Sequence, residues 1–328
     1  MQRQSKKAKH RKRRERRPLV GMLLHLDGST HHWLGENFPK WDLLAILDDA
    51  TGEVYDAFFV PEEDTRSVLK IIRSVVENQG VFCSLYTDRA SHFVYTLKAG
   101  EKPDKKIRTQ CQRALDQLGI ELIPAYSPQA RGRGERAWGT IQGRLPQELR
   151  LAGICDINAA NRYLKEIFIP DLNNKFTVEP KEKGSAFLEL PIGTNLDRIF
   201  SLNHKRQVAN DNTVSYKRFK LQIQESQIRH HFVKCTVSVY EHLDGTMSIA
   251  YGPHTIGRYS AQGELLKEEQ PIVQRWLRAE PLGLDGAAPG VCPTSPSLCN
   301  ETMSVPLPIL PLVIGLTTGK PINFGAQS

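Results

Sequence analysis

A chain of 328 residues with 40% apolar content has material for one large core and a smaller second domain. Its formal net charge of +8 is unevenly spread: residues 1–20 hold ten Lys/Arg and one Glu, while the other 34 basic and 35 acidic residues nearly cancel. Neither apolar stretch suits a leader or a membrane span, since "PLVGMLLHLD" soon meets His25 and Asp27 and "VPLPILPLVIGL" is short and holds three prolines.

Taken in chain order, residues 1–18 read as a solvated basic arm, a common device for contacting nucleic acid. "VGMLLHLDGS" then reads as a buried strand ending in a turn, "DLLAILDDATG" as a second, and "EVYDAFFVPEE" as a third joined to it by a hairpin. "TRSVLKIIRSVVENQG" places apolar residues at 68, 69, 71, 72, 75 and 76, one face of a helix closed at Gly80. The strand "VFCSLYTD", the polar loop "KAGEKPDKK", the helix "IRTQCQRALDQLG" and the strand "IELIPAYS" follow. A helix then grows out of "SPQARGRGERAWG", with Pro128 at its approach. The order βββ-α-β-α-β-α predicts an α/β domain over residues 19–190, a mixed sheet flanked by helices. A further helix is capped by Asp156 and predicted to stop near Pro170. Residues 195–260 turn to short strands and predict a small β-barrel with hairpins in "RQVANDNTVSYK" and "KCTVSVYEHLDGTMSIAYG". Residues 280–328 are rich in Pro, Gly and Ser without periodicity and predict disorder.

The acids fall at telling places in that order. Asp27 is expected at the end of the first strand and Asp88 at the end of the fourth, which is its neighbour if the fourth strand adds in parallel beside the first. Glu135 opens the helix that follows. Three crowded carboxylates repel unless a cation neutralises them, and hard cations such as Mg²⁺ or Mn²⁺ take such oxygen ligands together with phosphate oxygens. Around Glu135 stand Arg131, Arg133, Arg136 and Arg144, with Gly132 and Gly134 leaving room for a phosphate backbone to approach. The plain alternatives are a D-G-S turn for Asp27, a strand-end acid beside Arg89 for Asp88, and a helix-dipole acid for Glu135.

"HLDGSTHHWL", "LDDATGEVYDAFF", "LYTDRASHF" and "SPQARGRGERAWGTIQGRLPQELRLAG" together resemble the core of DDE-type insertion-sequence transposases, specifically the ISNCY family, over about residues 8–255. The resemblance implies a ribonuclease-H-like, integrase-type core that cuts DNA at transposon ends and joins the 3′-hydroxyl to target DNA. By motif it assigns Asp27, Asp88 and Glu135 as the catalytic, metal-holding acids, with two metal ions flanking the scissile phosphate. It further implies DNA and further copies of the chain as partners. Transposases of this type carry a helix-turn-helix ahead of the core, and none is expected here, so the competing reading is a non-catalytic DNA-binding remnant that regulates a full-length relative. An RNA-cleaving hydrolase of the same fold lacks a hybrid-binding feature.

Other signals weigh less. His25, His31 and His32 lie near Asp27 but fit no zinc spacing, and His31 is better read as a contact of the site or of DNA. Asp48 and Asp49 in "DDATG" read as turn residues, His92 as a loop residue or a substrate contact, and Trp138 as core rather than a base-stacking platform. Six scattered cysteines without a C-x-x-C pair argue against zinc ribbons and disulfides and for a reducing cytoplasm, with the nucleoid as the place of work.

Overall fold

The computed structural model describes residues 15–96, 107–125, 134–226 and 228–266, with residues 134–136 described as backbone only. The arm up to residue 14, the loop at 97–106, Pro128, Arg131, Arg133, the side chains of Glu135 and Arg136, and the stretch at 280–328 lie outside the described residues.

The first three strands, β1 (Leu24–His31), β2 (Trp41–Asp48) and β3 (Val54–Val60), form an antiparallel meander. Helix α1 (Thr65–Asn78) opens with an Asp64–Ser67 capping box and buries Val68, Leu69, Ile71, Ile72, Val75 and Val76, the expected apolar face. It is followed by β4 (Ser84–Thr87), α2 (Gln110–Leu118), β5 (Glu121–Pro124) and α3 (Gly134–Leu151). The sheet order is β3-β2-β1-β4-β5, with β4 and β5 running parallel to β1. This is the ribonuclease-H-like mixed sheet. One face packs on α1 and α2 through Leu24, Leu26, Ile46 and Leu85. The other packs on α3 and the helices after it through Leu43, Ala45, Leu47 and Trp138.

Asp27 is not at a strand end. It is the fourth residue of β1, which pairs with β2 without a break from Leu24↔Asp48 to His31↔Trp41. The D-G-S stretch looks like a turn, but Gly28 lies within the strand, paired with Leu44 of β2, and the Glu63 carboxylate end lies over its Cα.

The helix expected to stop near Pro170 continues beyond it. α4 (Ile157–Tyr163) passes through one π turn (Leu164–Phe168) into α5 (Ile169–Phe176). At the π turn the Ile169 N–H reaches back to Leu164 O, and Pro170 falls in the first turn of α5, where its missing N–H costs little. These helices also close the sheet edge. Asn161 in α4 bonds both backbone groups of Phe59 (2.6 and 3.1 Å), and Asn173 in α5 bonds both of Val54 (2.9 and 2.9 Å). Each amide stands where a neighbouring strand would otherwise be.

After the short helix α6 (Leu196–Ile199) come β6 (Leu202–Gln207), β7 (Thr213–Tyr216), β8 (Phe219–Gln222), β9 (Thr236–Glu241), β10 (Met247–Tyr251) and β11 (His254–Tyr259). They form a four-stranded sheet, β11-β10-β9-β6, and a β7-β8 hairpin around one core that includes Val214, Phe232, Val239 and Ile249. Among the described residues the ladders do not close into a barrel. The β9–β10 hairpin is the expected one. The other differs: β6 pairs with β9, and β7 with β8. The Asn-Asp-Asn segment does turn the chain, with the Ala209 N–H bonded to Thr213 O, but there the pairing stops, and the Asn212 amide (φ +57°) bonds Ile223 O and Phe232 N–H.

Asn173→Ala and Asn161→Ala each leave a backbone N–H and C=O of β3 without these partners. Each should lower stability by about 2 kcal/mol, read from urea denaturation; unchanged midpoints in both would show that the edge does not depend on these amides.

Candidate metal and nucleic-acid site

β1 is the centre of the first sheet, and its pairing with β4 sets the site. Leu24 lies opposite Leu85 and His25 opposite Tyr86, in parallel. Carried two residues further, that register brings Asp27 level with Asp88, the residue that follows β4. Parallel neighbours at one level share a face of the sheet, and strand alternation assigns that face to the α3 side, because Asp27 is opposite Ala45 of the α3-side core. Both aspartates are half-buried, which suits acids facing solvent on one side. Asp88 accepts the Ala90 N–H at 2.9 Å, holding the backbone as it leaves the strand.

Helix α3 lies over this face. Gln142 Nε2 donates to Ser29 Oγ at 2.8 Å, and Ser29 is two residues beyond Asp27 on the same side of β1. Position 135 is two helical turns before 142 on α3. Trp138 is 7% exposed and packs in the core with Trp33, Leu43 and Ala45, so it is a core aromatic as expected. The chain enters the stretch before α3 from Ala125, whose N–H bonds Thr87 O beside Asp88. Among the described residues no three His, Cys, Asp or Glu side chains gather as a metal cluster.

The remaining candidates divide. Arg144 faces inward on its own helix layer: its guanidinium bonds Glu148 (2.8 Å) and Asp171 (2.7 Å) and lies over the rings of Phe168 and Phe176. Hydrogen bonding to Asp171 is the leading reason its pKa is raised further. His32 is held by Phe38 O, and His31 meets Trp33 edge-on. His92 Nε2 lies 2.8 Å from the Glu63 carboxylate without the alignment of a hydrogen bond. Asp48 is indeed a turn residue, accepting Ala50 N–H (2.6 Å) and Thr51 N–H (3.1 Å), but it also accepts Gly21 N–H (2.8 Å), and burial raises its pKa.

A second charged surface lies on the C-terminal strands. Seven Lys/Arg and two acids fall between residues 202 and 236, a local excess hidden when charge is summed over the chain. His204, Arg206 and Lys217 gather about the Tyr216 ring. This basic face is fastened to the first sheet's helices. The buried Glu241 accepts from Tyr216 (2.7 Å), Lys217 (2.7 Å) and Arg66 of α1. Gln110 and Asn203 exchange bonds of 2.8 and 2.9 Å, and Arg113 donates to Ile199 O and Ser201 O.

Two relatives share sequence with this arrangement. The transposase relative y4bF of Sinorhizobium fredii is 30% identical over 246 residues, covering 74% of this chain and 53% of its own length. The transposase for insertion sequence IS1202 of Streptococcus pneumoniae is 30% identical over 204 residues, covering 62% and 43%. The chain is a relative of the insertion-sequence transposases. It spans about half the length of the relatives it matches. No family model matches it. Solved structures with partial likeness include the simian T-cell lymphotropic virus intasome in complex with PP2A regulatory subunit B56 gamma (TM-score 0.40, 14% identity, 74% of this chain and 77% of that one). The catalytic core domain of BIV integrase is another (TM-score 0.34, 22% identity, 47% and 85%). No described helix is long and apolar enough to cross a membrane.

Burial alone would raise the pKa of Glu241, but the bonds from Lys217 and Tyr216 and the charge of Arg66 hold it below the ordinary value of 4.5. A lowered carboxylate pKa contributes stability above the unfolded value that is lost as pH falls through the folded one. Glu241→Gln should therefore lower stability by about 2 kcal/mol at neutral pH, and the gap from wild type should shrink on acidification below 4.5. Calorimetric melts across that range test this, and a pH-independent gap would contradict it.

Proposed function

We propose that this chain carries the catalytic part of a DNA transposase, with Asp27, Asp88 and Glu135 as the acids that hold divalent cations. The observation that carries the reading is the parallel β1–β4 register at Leu24–Leu85 and His25–Tyr86, which, continued two residues, would set two half-buried carboxylates level on the α3 side. The donor set suits the group: both acids offer hard oxygen ligands, and the imidazoles of His25 and His32 have other partners, which favours Mg²⁺ or Mn²⁺ over zinc. Bound there, a metal pair would lower the pKa of an attacking water or 3′-hydroxyl and stabilise the leaving oxygen.

The chain's own groups then have separate tasks. Asp27 sits on a strand paired on both sides, so it is the fixed member of the set. Asp88 follows the end of β4, where its bond to the Ala90 N–H orients it. Glu135, at the start of α3, adds the third carboxylate from the helix that Gln142 ties to Ser29. With cations bound, they would orient the phosphodiester for in-line attack. A 3′-oxygen bonds to phosphorus and loses its proton to solvent, while the bond to the departing 3′-oxygen of the target breaks and that oxygen takes up a proton from solvent. Arg131, Arg133 and Arg136, with the basic face about Tyr216, would take the flanking phosphates, while Arg144 would contribute by holding α3 to α5. DNA is the substrate on this reading, and several copies of the chain assemble on it.

Glu135→Gln keeps the shape of the side chain and removes its charge. It should abolish metal-dependent joining of a pre-cut 3′-end to target DNA while leaving DNA binding largely intact. Equal joining by wild type and variant would rule out the assigned acids, and an inactive wild type in both Mg²⁺ and Mn²⁺ would favour a non-catalytic DNA-binding role. The basic arm is testable separately. Deleting residues 1–14 removes eight Lys/Arg and should weaken non-specific DNA binding and flatten its dependence on salt, because fewer counterions are released. A filter-binding salt series with an unchanged slope would remove the arm from the DNA contacts.

A further inference from the structure

Directly beneath the proposed acids lies a polar pair that an ordinary core would not contain. His25 is 4% exposed and Asp49 is 0% exposed, and His25 Nε2 faces Asp49 Oδ1 across 2.8 Å. The other carboxylate oxygen of Asp49 accepts the Arg17 N–H at 2.8 Å, and the Asp49 N–H bonds Leu23 O at 2.9 Å. Strand alternation sets His25 and Asp27 on one face of β1, and Tyr86 and Asp88 on the same face of β4. The His25 and Tyr86 rings meet with centroids 5.2 Å apart. A polar rung thus underlies the acidic rung, one alternation away.

This pair also lies beside the start of α3. A cavity of about 170 Å³ is lined by Asp48 and Asp49 on one side and by Ala137 and Thr140 of α3 on the other, the turns that follow Glu135. Burying a carboxylate is costly unless it is paired, and apolar residues of similar size usually fill such a space with no loss of stability. Their use here therefore points to geometry rather than to stability.

We infer that His25 and Asp49 are positioning residues: their bond fixes β1 against the turn that follows β2, and so sets the spacing of the acids for the metal. The inference rests on the metal-site reading above and adds to it. Carboxylates hold a divalent cation only when kept close to the required geometry, and groups that support ligands from behind commonly change metal affinity by about 10–100-fold.

The test is Mn²⁺ titrated into the full chain, with free Mn²⁺ followed by its electron paramagnetic resonance signal. Asp27→Asn should abolish binding, which checks the metal site itself. His25→Leu, which removes the donor, should weaken binding by about 10-fold, and His25→Gln, whose amide can still donate to Asp49, should recover most of that loss. If His25→Leu does not fold, His25→Phe, which keeps a flat ring but cannot donate, carries the decision and should weaken binding similarly. Loss of Mn²⁺ in Asp27→Asn with wild-type affinity in His25→Leu or His25→Phe overturns this inference and leaves the metal site standing. A wild-type chain whose Mn²⁺ binding is indifferent to Asp27→Asn overturns both.

Discussion

The parallel pairing of β1 with β4 is the constraint on which the rest of the arrangement depends. A meander alone would leave β1 at the edge of a three-stranded sheet, with its acid beside solvent and no partner at the same level. Adding β4 in parallel needs a crossover, and α1 supplies it, its apolar face covering the far side of the sheet. That crossover gives β1 a partner on both flanks, pairs His25 with Tyr86 two residues before the proposed acids, and leaves the opposite face for α3. One connection therefore serves both the core and the candidate chemistry.

The parts of this that were legible in the sequence share a physical character. The α1 face could be read from its spacing because one stripe of a helix carries its whole apolar load. The strand order was legible because the turns and helix ends around it are marked by local residues such as Gly80 and Gly119. The misreadings arose where a distant partner decides the local structure. Gly28 suggests a turn, yet it pairs with Leu44, 16 positions away, inside an unbroken ladder. Pro170 suggested a helix end, but the preceding π turn had already released the hydrogen bond that proline would break. β6 pairs with β9, some 30 positions on, rather than with its sequence neighbour, and Asn212 likewise bonds residues 11 and 20 positions ahead. In "DDATG" the turn was visible, whereas the ties of Asp48 to Gly21 and of Asp49 to Arg17 and His25 were not.

The charge distribution teaches a similar lesson. Summed over the chain beyond residue 20, the charges nearly cancel. In three dimensions Arg206 and Lys217 lie over Tyr216, and Glu241 is buried beside them. A carboxylate so placed neutralises part of the repulsion within that face and ties it to Arg66 on α1. The basic face therefore does not hang from a flexible tether. Its bonds to α1 and α2 make its distance from the sheet a property of the fold.

The Asn161 and Asn173 amides have a consequence that reaches beyond the single molecule. An amide side chain carries one donor direction and one acceptor spaced like those of a peptide unit, so at Phe59 and Val54 the outer strand already meets two imitation peptides. A strand from a neighbouring copy arriving at these positions finds no vacant ladder to extend. Growth of one sheet into the next, the first step toward a fibril, is closed off there by two side chains rather than by charge or proline. Molecules crowded together at high local concentration can then touch along this flank and separate again.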